Sequence, residues 1–126
     1  MENSRFKFRA WVPRDKEMFH VRSILFDKEL VALAYDEDDE PGFFEHYDDI
    51  VLMQYTGLKD KNGVEIYEGD IVTADTIFRC IVKYWDEGFS GYVLTFGADG
   101  WEGMLADYGG LEVIGNIYEN PELLEV

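Results

Sequence analysis

The chain has 126 residues, of which 47% are hydrophobic and 16% aromatic, which is enough for one domain whose core buries roughly two thirds of the unfolded surface. Its 27 acidic and 11 basic residues give a net charge of −16 at pH 7, which argues against direct nucleic-acid binding because that binding depends on Lys and Arg neutralising phosphates. No stretch approaches the roughly 18 uncharged apolar residues that would span a bilayer, so we expect a soluble intracellular protein with no membrane contact.

The N-terminal segment alternates apolar and polar residues with the period of a β-strand. Residues 5–12 read RFKFRAWV, and residues 18–26 resume with β-branched and aromatic residues after a charged turn, so we expect a hairpin followed by a third strand over residues 30–35. The alternation places three basic residues on one face of the first strand: Arg5, Lys7 and Arg9. That row indicates either a solvated edge strand or pairing with the acidic loop of residues 36–49 or with a second subunit.

The next segment is strongly acidic. Residues 36–49 contain eight acidic residues and a Pro-Gly pair, a composition that predicts an exposed loop. His46 lies there among carboxylates, and weak Ca²⁺ or Mg²⁺ binding is the alternative. Asp36, Asp38 and Glu40 begin like a calcium loop but place proline where glycine is needed, so we predict no metal site and no cofactor.

A buried strand over residues 49–55 leads into a stretch that mixes glycines with charges, LMQYTGLKDKNGVEIYEGDIV, residues 52–72. Its Asn62-Gly63 pair predicts a type I′ hairpin turn, which needs positive φ at both residues. The Glu68-Gly69-Asp70 triplet predicts a second tight turn. Chain reversal therefore explains these residues better than an active site does.

Beyond residue 70 the chain is a series of short apolar stretches separated by turn residues. That spacing predicts a small β-meander closed into a barrel or curled sheet. Cys80, the single cysteine, cannot form an internal disulfide, and its β-branched neighbours indicate burial in a strand. Near the end, Asn120 is expected to cap a short helix that begins at Pro121.

Large aromatic residues are concentrated in the C-terminal half. The core would take most of them, but alternation around residues 84 and 85 places at least one ring outward, and exposed aromatic residues on small barrels form recognition grooves. The predicted protein-binding surface consists of Tyr84, Trp85, Tyr92 and Trp101.

Three blocks of the sequence, KFRAW at 7–11, MQYTGLKDKNGVEIYEGDIV at 53–72 and EVIGNIYENPELLE at 112–125, resemble the YopX family of bacteriophage and prophage proteins. The resemblance implies a mostly β structure with an SH3-like barrel in the C-terminal part, and a phage or prophage gene of a Gram-positive host. It implies no catalytic residues, because the family has no assigned activity. Four positions match its motif, and we assign them turn roles: Gly57, Gly63, Gly69 and Asp70.

These observations predict a mainly β protein with one domain over residues 1–126. Residues 1–49 would form the N-terminal hairpin extension and the acidic loop, and residues 50–126 the SH3-like barrel with a short C-terminal helix.

The leading functional hypothesis is a non-enzymatic protein-binding accessory module of a phage or prophage, a homo-oligomer in the host cytoplasm. The alternative is an acidic nucleic-acid mimic that occupies a host DNA-binding protein, since carboxylates arranged like phosphates compete for a basic groove. A hydrolase or metal enzyme is the third hypothesis, but the sequence shows no catalytic motif for it.

Overall fold

The computed structural model describes residues 7–36, 42–74, 79–86, 91–95 and 103–124. The chain is mainly β, as predicted, and forms two antiparallel sheets. It divides into two compact units, unit 1 of Met1–Gln54 and unit 2 of Tyr55–Val126. The single-domain organisation stays a prediction.

Unit 1 is an antiparallel sheet in the strand order β4-β3-β2-β1-β5. Its elements are β1 (Phe8–Val12), β2 (Glu17–Leu25), β3 (Leu30–Ala34), β4 (Phe43–His46), a 3₁₀ helix (Tyr47–Asp49) and β5 (Val51–Lys59), which continues into unit 2. Alternation along the strands directs apolar side chains to one face. The buried core of unit 1 consists of Ala10, Val12, Phe19, Val31 and Leu33.

The predicted N-terminal hairpin forms between β1 and β2, with Val12 opposite Glu17. β1 also pairs with β5 along its other side, with Arg9 opposite Met53. β1 is therefore an interior strand, and the interpretation of the basic row as a solvated edge is wrong. Arg5 lies outside the described residues.

The prediction of an acidic loop over residues 36–49 is wrong for its second half. Phe43–His46 is the edge strand β4, paired with β3. Glu45 is only 7% exposed, because the guanidinium of Arg14 donates hydrogen bonds to its carboxylate from the β1–β2 turn. One counter-charge thus allows a residue of the acidic segment to be buried. Asp36 is exposed, and residues 37–41 lie outside the described ranges.

Unit 2 contains a five-stranded antiparallel sheet in the order β10-β9-β8-β7-β11, together with the hairpin between β5 and β6. Its elements after β5 are β6 (Glu65–Tyr67), β7 (Asp70–Ala74), β8 (Arg79–Trp85), β9 (Gly91–Thr95), β10 (Gly103–Met104), a 3₁₀ helix (Leu105–Asp107), β11 (Leu111–Asn116) and a 3₁₀ helix (Pro121–Leu124). Its buried core consists of Ile66, Val72, Cys80, Val82, Leu94, Leu105 and Leu111.

The SH3-like barrel and the C-terminal helix are not confirmed. Among the described residues the sheet of unit 2 is open, with β10 at one edge and β11 at the other. The C-terminal segment makes only a 3₁₀ turn, closed by the hydrogen bond from the Leu123 amide to the Asn120 carbonyl. The Asn120 side chain accepts from the amide of Asn116 through its Oδ1 at 3.2 Å. Within the described ranges no helix is long and apolar enough to cross a membrane.

The turn between β5 and β6 differs from the predicted type I′ geometry. Gly63 has a φ of 85°, but Asn62 is not at positive φ. The Gly63 amide donates to the Asp60 carbonyl at 3.0 Å, and the Asp60 amide donates to the Val64 carbonyl at 2.8 Å. This is the pattern of a three-residue loop in which a glycine at positive φ forms a bulge.

Candidate functional site

Two tyrosines of the predicted binding surface meet on neighbouring strands of unit 2. Tyr84 of β8 lies opposite Tyr92 of β9, and their ring centroids are 5.3 Å apart in an edge-to-face arrangement. Tyr84 is 47% exposed, whereas Tyr92 packs against the core of unit 2. Trp85 is half-buried, and Trp101 lies outside the described residues. The structure therefore brings together two of the four predicted residues.

Tyr92 is the fixed member of this pair. Burial raises the pKa of the Tyr92 phenol, and the nearby Glu68 carboxylate and Tyr84 raise it further. The phenol therefore stays protonated at neutral pH and keeps its capacity to donate a hydrogen bond. The pair presents one anchored ring and one ring that faces solvent.

Asp60, at the start of the β5–β6 turn, binds three backbone amides. Its Oδ1 accepts from Asn62 at 2.8 Å and from Val64 at 2.9 Å, and its Oδ2 accepts from Val113 of β11 at 2.9 Å. Burial alone would raise the pKa of the Asp60 carboxyl, but these amides and the charge of Lys61 outweigh it and lower the pKa. This carboxylate joins the hairpin to β11.

The second predicted turn, between β6 and β7, has the same character. Gly69 has a φ of 91°, and Asp70, only 1% exposed, accepts the Tyr67 amide at 2.7 Å through Oδ2. The Gly69 amide donates to the Val82 carbonyl, and its carbonyl accepts from the amide of Ile117. Gly57, in contrast, lies within β5 with a φ of 90°, where the pairing with β6 is irregular.

The turn after β11 is organised by Asn116, which is 6% exposed. Its Oδ1 accepts from the amides of Tyr118 and Glu119 at 3.0 and 2.8 Å. A Cβ at Gly115 would lie 2.6 Å from Oδ1 of Asn120, so any other residue there would have to displace the Asn120 side chain. The polar residues of the quoted motifs thus satisfy buried backbone donors.

A cavity of about 170 Å³ lies within unit 2, between the β5–β6 hairpin and the segment that runs from the 3₁₀ helix at Leu105 to β11. Its walls include the buried aliphatic residues Ile66, Leu105 and Leu111. Lys59, Asp60 and Lys61 also line it, and the Lys61 ammonium lies 3.7 Å from Oε1 of Glu112. The charged residues at the cavity are therefore of both signs.

A comparison with known protein families agrees with the resemblance of the blocks at residues 7–11, 53–72 and 112–125. A family model described as YopX protein matches residues 7–125. The chain belongs to the YopX family. A solved relative, described as the crystal structure of protein EF1440 from Enterococcus faecalis, is 34% identical, with a TM-score of 0.65, and the match covers 94% of this chain and 97% of that chain. No curated protein matches the chain.

In this YopX-family chain the His46 side chain caps the N-terminus of the 3₁₀ helix Tyr47–Asp49. Its Nδ1 accepts from the Asp48 amide at 3.1 Å, and its Nε2 lies 3.3 Å from Oε1 of Glu29. Across the described ranges no three His, Cys, Asp or Glu side chains are grouped to hold a metal ion. His20 is exposed on β2. Asp38 and Glu40 of the calcium-loop alternative lie outside these ranges.

Sequence reasoning missed two features of this YopX-family structure. The Arg14–Glu45 pair joins residues 31 positions apart, and the cavity is built from residues 58–61 and 105–111 together with Ile66. Both depend on pairing between distant strands, for which the local pattern gives no signal.

Proposed function

We propose that the protein is a non-enzymatic binding module that acts through protein contacts in the cytoplasm of a phage-infected or lysogenic bacterium. The observation that carries this proposal is the exposed Tyr84 ring packed against the anchored ring of Tyr92. Tyrosine is enriched among the few residues that carry most of the binding energy at protein interfaces, because its ring buries a large area at a small cost in conformational entropy.

The hydrogen bonds of the motif carboxylates support the same proposal. Asp60 and Asp70 both accept hydrogen bonds from backbone amides, so these two carboxylates stabilise turns. Among the described residues, the pair of Tyr84 and Tyr92 on the sheet of unit 2 is therefore the feature best suited to binding a protein.

Site-specific photocrosslinking tests the proposal. A benzophenone amino acid replaces Tyr84 in one variant and Lys83 in the control, since Lys83 is also exposed but its side chain points to the opposite face of β8. We expect the variant at position 84 to crosslink to a discrete partner in host lysate and the control to give none. Tyr84→Ser should then weaken binding of the purified partner at least tenfold without changing the melting temperature. Equal crosslinking from both positions, or an unchanged affinity, would contradict the proposal.

We also propose that the protein forms a homo-oligomer through unit 1. Phe44 is 53% exposed on the edge strand β4, and Phe26 and Tyr35 are 77% and 63% exposed. An open strand edge beside exposed rings favours pairing with a second copy. Sedimentation equilibrium should show self-association that Phe44→Lys abolishes. A wild-type protein that sediments as a monomer at all concentrations would refute this part.

A further inference from the structure

The exposed ring of Tyr84 lies beside a turn that carries a carboxylate. Tyr84 is 47% exposed, and Tyr92 of β9 lies opposite it. On the other side of β8 is the β6–β7 turn, where the Gly69 amide donates to the Val82 carbonyl at 2.8 Å. The turn that contains Glu68 and the strand that contains Tyr92 thus flank the segment of β8 from Val82 to Tyr84.

The charge of Glu68 acts on this tyrosine pair. The pKa of the Tyr92 phenol is raised by burial first and by the Glu68 carboxylate second, with Tyr84 adding to both. Because a charge must lie close to a phenol to shift its pKa, Glu68 lies close to the pair. Glu68 has a further interaction within the chain, and a carboxylate can accept several hydrogen bonds at once. The aromatic pair therefore lies in a negative local field.

The basic residues of this part of the chain are directed elsewhere. Residues 64–126 contain 13 acidic residues and two basic ones, Arg79 and Lys83. The Arg79 guanidinium donates to the Leu123 carbonyl at 2.6 Å, and the Lys83 side chain extends from the face of β8 opposite to Tyr84. Neither of these cations therefore compensates the carboxylate beside the tyrosine pair.

The backbone around Glu68 is already fixed. The Tyr67 amide donates to Oδ2 of Asp70 at 2.7 Å, and the Gly69 carbonyl accepts from the Ile117 amide at 3.0 Å. Hydrogen bonds thus hold the residues on both sides of Glu68, while the Tyr92 ring packs against the core of unit 2. A surface fixed in this way loses little conformational entropy when it binds.

From this geometry we propose that Tyr84 and Glu68 together bind a cationic side chain, lysine or arginine, of the partner protein. The cation lies on the exposed ring of Tyr84, since the face of an aromatic ring is negative and attracts a cation within about 6 Å of its centre. It pairs at the same time with the Glu68 carboxylate. The inference rests on the proposed function, because it concerns the same aromatic surface, and it adds the chemistry of the partner residue.

Amide chemical-shift mapping with two peptides tests the charge preference. In about 0.15 M salt, which screens long-range attraction to the acidic chain, acetyl-Arg-Gly-Arg-amide should give saturable shifts centred on residues 67–69, 82–85 and 91–93. The citrulline peptide of the same shape, which is uncharged, should bind at least tenfold more weakly. Equal binding of the two peptides, or shifts confined to the acidic residues 36–49, would overturn the proposal. If spermidine, a free polyamine, binds at Tyr84 as tightly as the arginine peptide, a protein segment is not the specific occupant and the proposal also fails.

Matched variants identify the two contacts. Tyr84→Phe keeps the ring and should bind the arginine peptide within about twofold of wild type, whereas Tyr84→Leu keeps an apolar side chain without the ring and should bind at least fivefold more weakly. Glu68→Gln should weaken binding at least threefold. Glu122→Gln removes the same charge from an exposed position of the same unit and should have no effect. Unchanged binding in Tyr84→Leu, or equal effects of Glu68→Gln and Glu122→Gln, would refute the inference.

The crosslinking experiment keeps the inference apart from the proposed function. A partner captured at position 84, whose affinity is the same for wild type and Glu68→Gln and for Tyr84→Phe and Tyr84→Leu, would overturn the cationic contact and leave the binding module in place. Binding of the arginine peptide at Tyr84 without a captured partner would support the cationic contact and count against the proposed protein partner. Loss of the captured partner in both Tyr84→Leu and Glu68→Gln is the expected result.

Discussion

Unit 2 holds its turns with buried polar side chains that accept backbone amides, whereas the turns of unit 1 rely on backbone hydrogen bonds and on the ion pair of Arg14 with the buried Glu45. Asp60, Asp70 and Asn116 are all at most 7% exposed and all accept backbone amides. In unit 1 the corresponding turn residues, Lys16 and Glu29, are exposed and adopt positive φ angles of 53° and 57°.

This contrast explains why only one of the two units contains a motif that resembles an active site. A turn packed against other strands leaves amides without water, and a side-chain acceptor must replace that water. Asp60 and Asp70 meet this need for the half-buried amides of Val113 and Tyr67. The amides of a turn at the surface donate to water, so many sequences suit such a turn. In unit 1 the apolar core is therefore the main interior contribution to stability.

The largest effect should come from Asp60→Ala. It would remove three hydrogen bonds from backbone amides to a charged acceptor, each of which contributes about 1.5–3 kcal/mol, so we expect the free energy of unfolding to fall by roughly 4 kcal/mol. Urea denaturation measures this change, and hydrogen exchange should show it in unit 2 first. Asp107→Ala, which removes an exposed carboxylate of the same unit, should change little. An equal effect of the two variants would show that the hydrogen bonds of Asp60 to backbone amides contribute no more to unit 2 than a surface carboxylate does.

Leu33→Ala tests the apolar half of the comparison. Leu33 is fully buried in the core of unit 1, and truncation of a buried leucine costs 2–5 kcal/mol, so we expect a loss of about 3 kcal/mol with faster hydrogen exchange in unit 1. Lys28→Ala, at an exposed turn position of the same unit, is the control and should cost under about 1 kcal/mol. If Leu33→Ala speeds exchange only in unit 2, the assignment of this core to unit 1 fails.

Gly115→Ala should have an intermediate effect in unit 2. The added Cβ would meet Oδ1 of Asn120 at 2.6 Å and Cδ1 of Leu123 at 2.9 Å, and overpacking of this kind costs about 1–3 kcal/mol. Thermal denaturation should show a lower melting temperature. Gly109→Ala, which adds its methyl group to open space, should leave the melting temperature unchanged. Equal melting temperatures for the two variants would show that Asn120 can move away freely.

Tyr47→Phe should stabilise unit 1 slightly. The buried hydroxyl of Tyr47 has no hydrogen-bond partner among the described residues, so its removal ends a desolvation cost of about 1 kcal/mol. Chemical denaturation measures the gain. Tyr35→Phe, at a tyrosine that is 63% exposed, should be neutral. A clear loss of stability in Tyr47→Phe would mean that the hydroxyl is paired.

A fall in pH should reveal the contribution of Asp60 without a change in packing. Its pKa is lowered in the folded state, so the unfolded chain takes up this proton first, near the ordinary value of about 3.9. The stabilisation is present above that value and is lost as the pH falls through the folded pKa. We expect the difference in unfolding free energy between wild type and Asp60→Asn to narrow below about pH 4. A difference that is constant with pH would contradict the assignment.

Much of the strand pattern could be predicted, because alternation is local. The hairpin of β1 and β2 and the run of short strands after residue 70 follow from period-two burial. The acidic composition of residues 36–49 gave no indication of β4, because the ion pair formed by the buried Glu45 depends on Arg14, 31 residues earlier. Closure into a barrel could not be derived either, because strand spacing alone does not determine which edges pair.

The turns show the same limit at atomic scale. The glycine at residue 63 indicated positive φ, which the structure has. The sequence did not show that Asp60 binds the amides of Asn62 and Val64, and the type I′ prediction failed there. The cavity of unit 2 could not be predicted from the local sequence pattern, because its walls come from segments far apart in the chain. The nucleic-acid mimic stays a hypothesis, as does the aromatic binding surface.

The bond from the Val113 amide to Oδ2 of Asp60 spans 53 residues, which has a consequence for biosynthesis. At translation rates of about 5–20 residues per second, Val113 emerges from the ribosome roughly 3–10 s after Asp60. A hairpin closes in microseconds, so the β5–β6 turn has time to form and open many times, and Oδ2 of Asp60 stays hydrated until β11 arrives. Translational pausing before residue 113 would lengthen that interval and leave the growing polypeptide open to proteases.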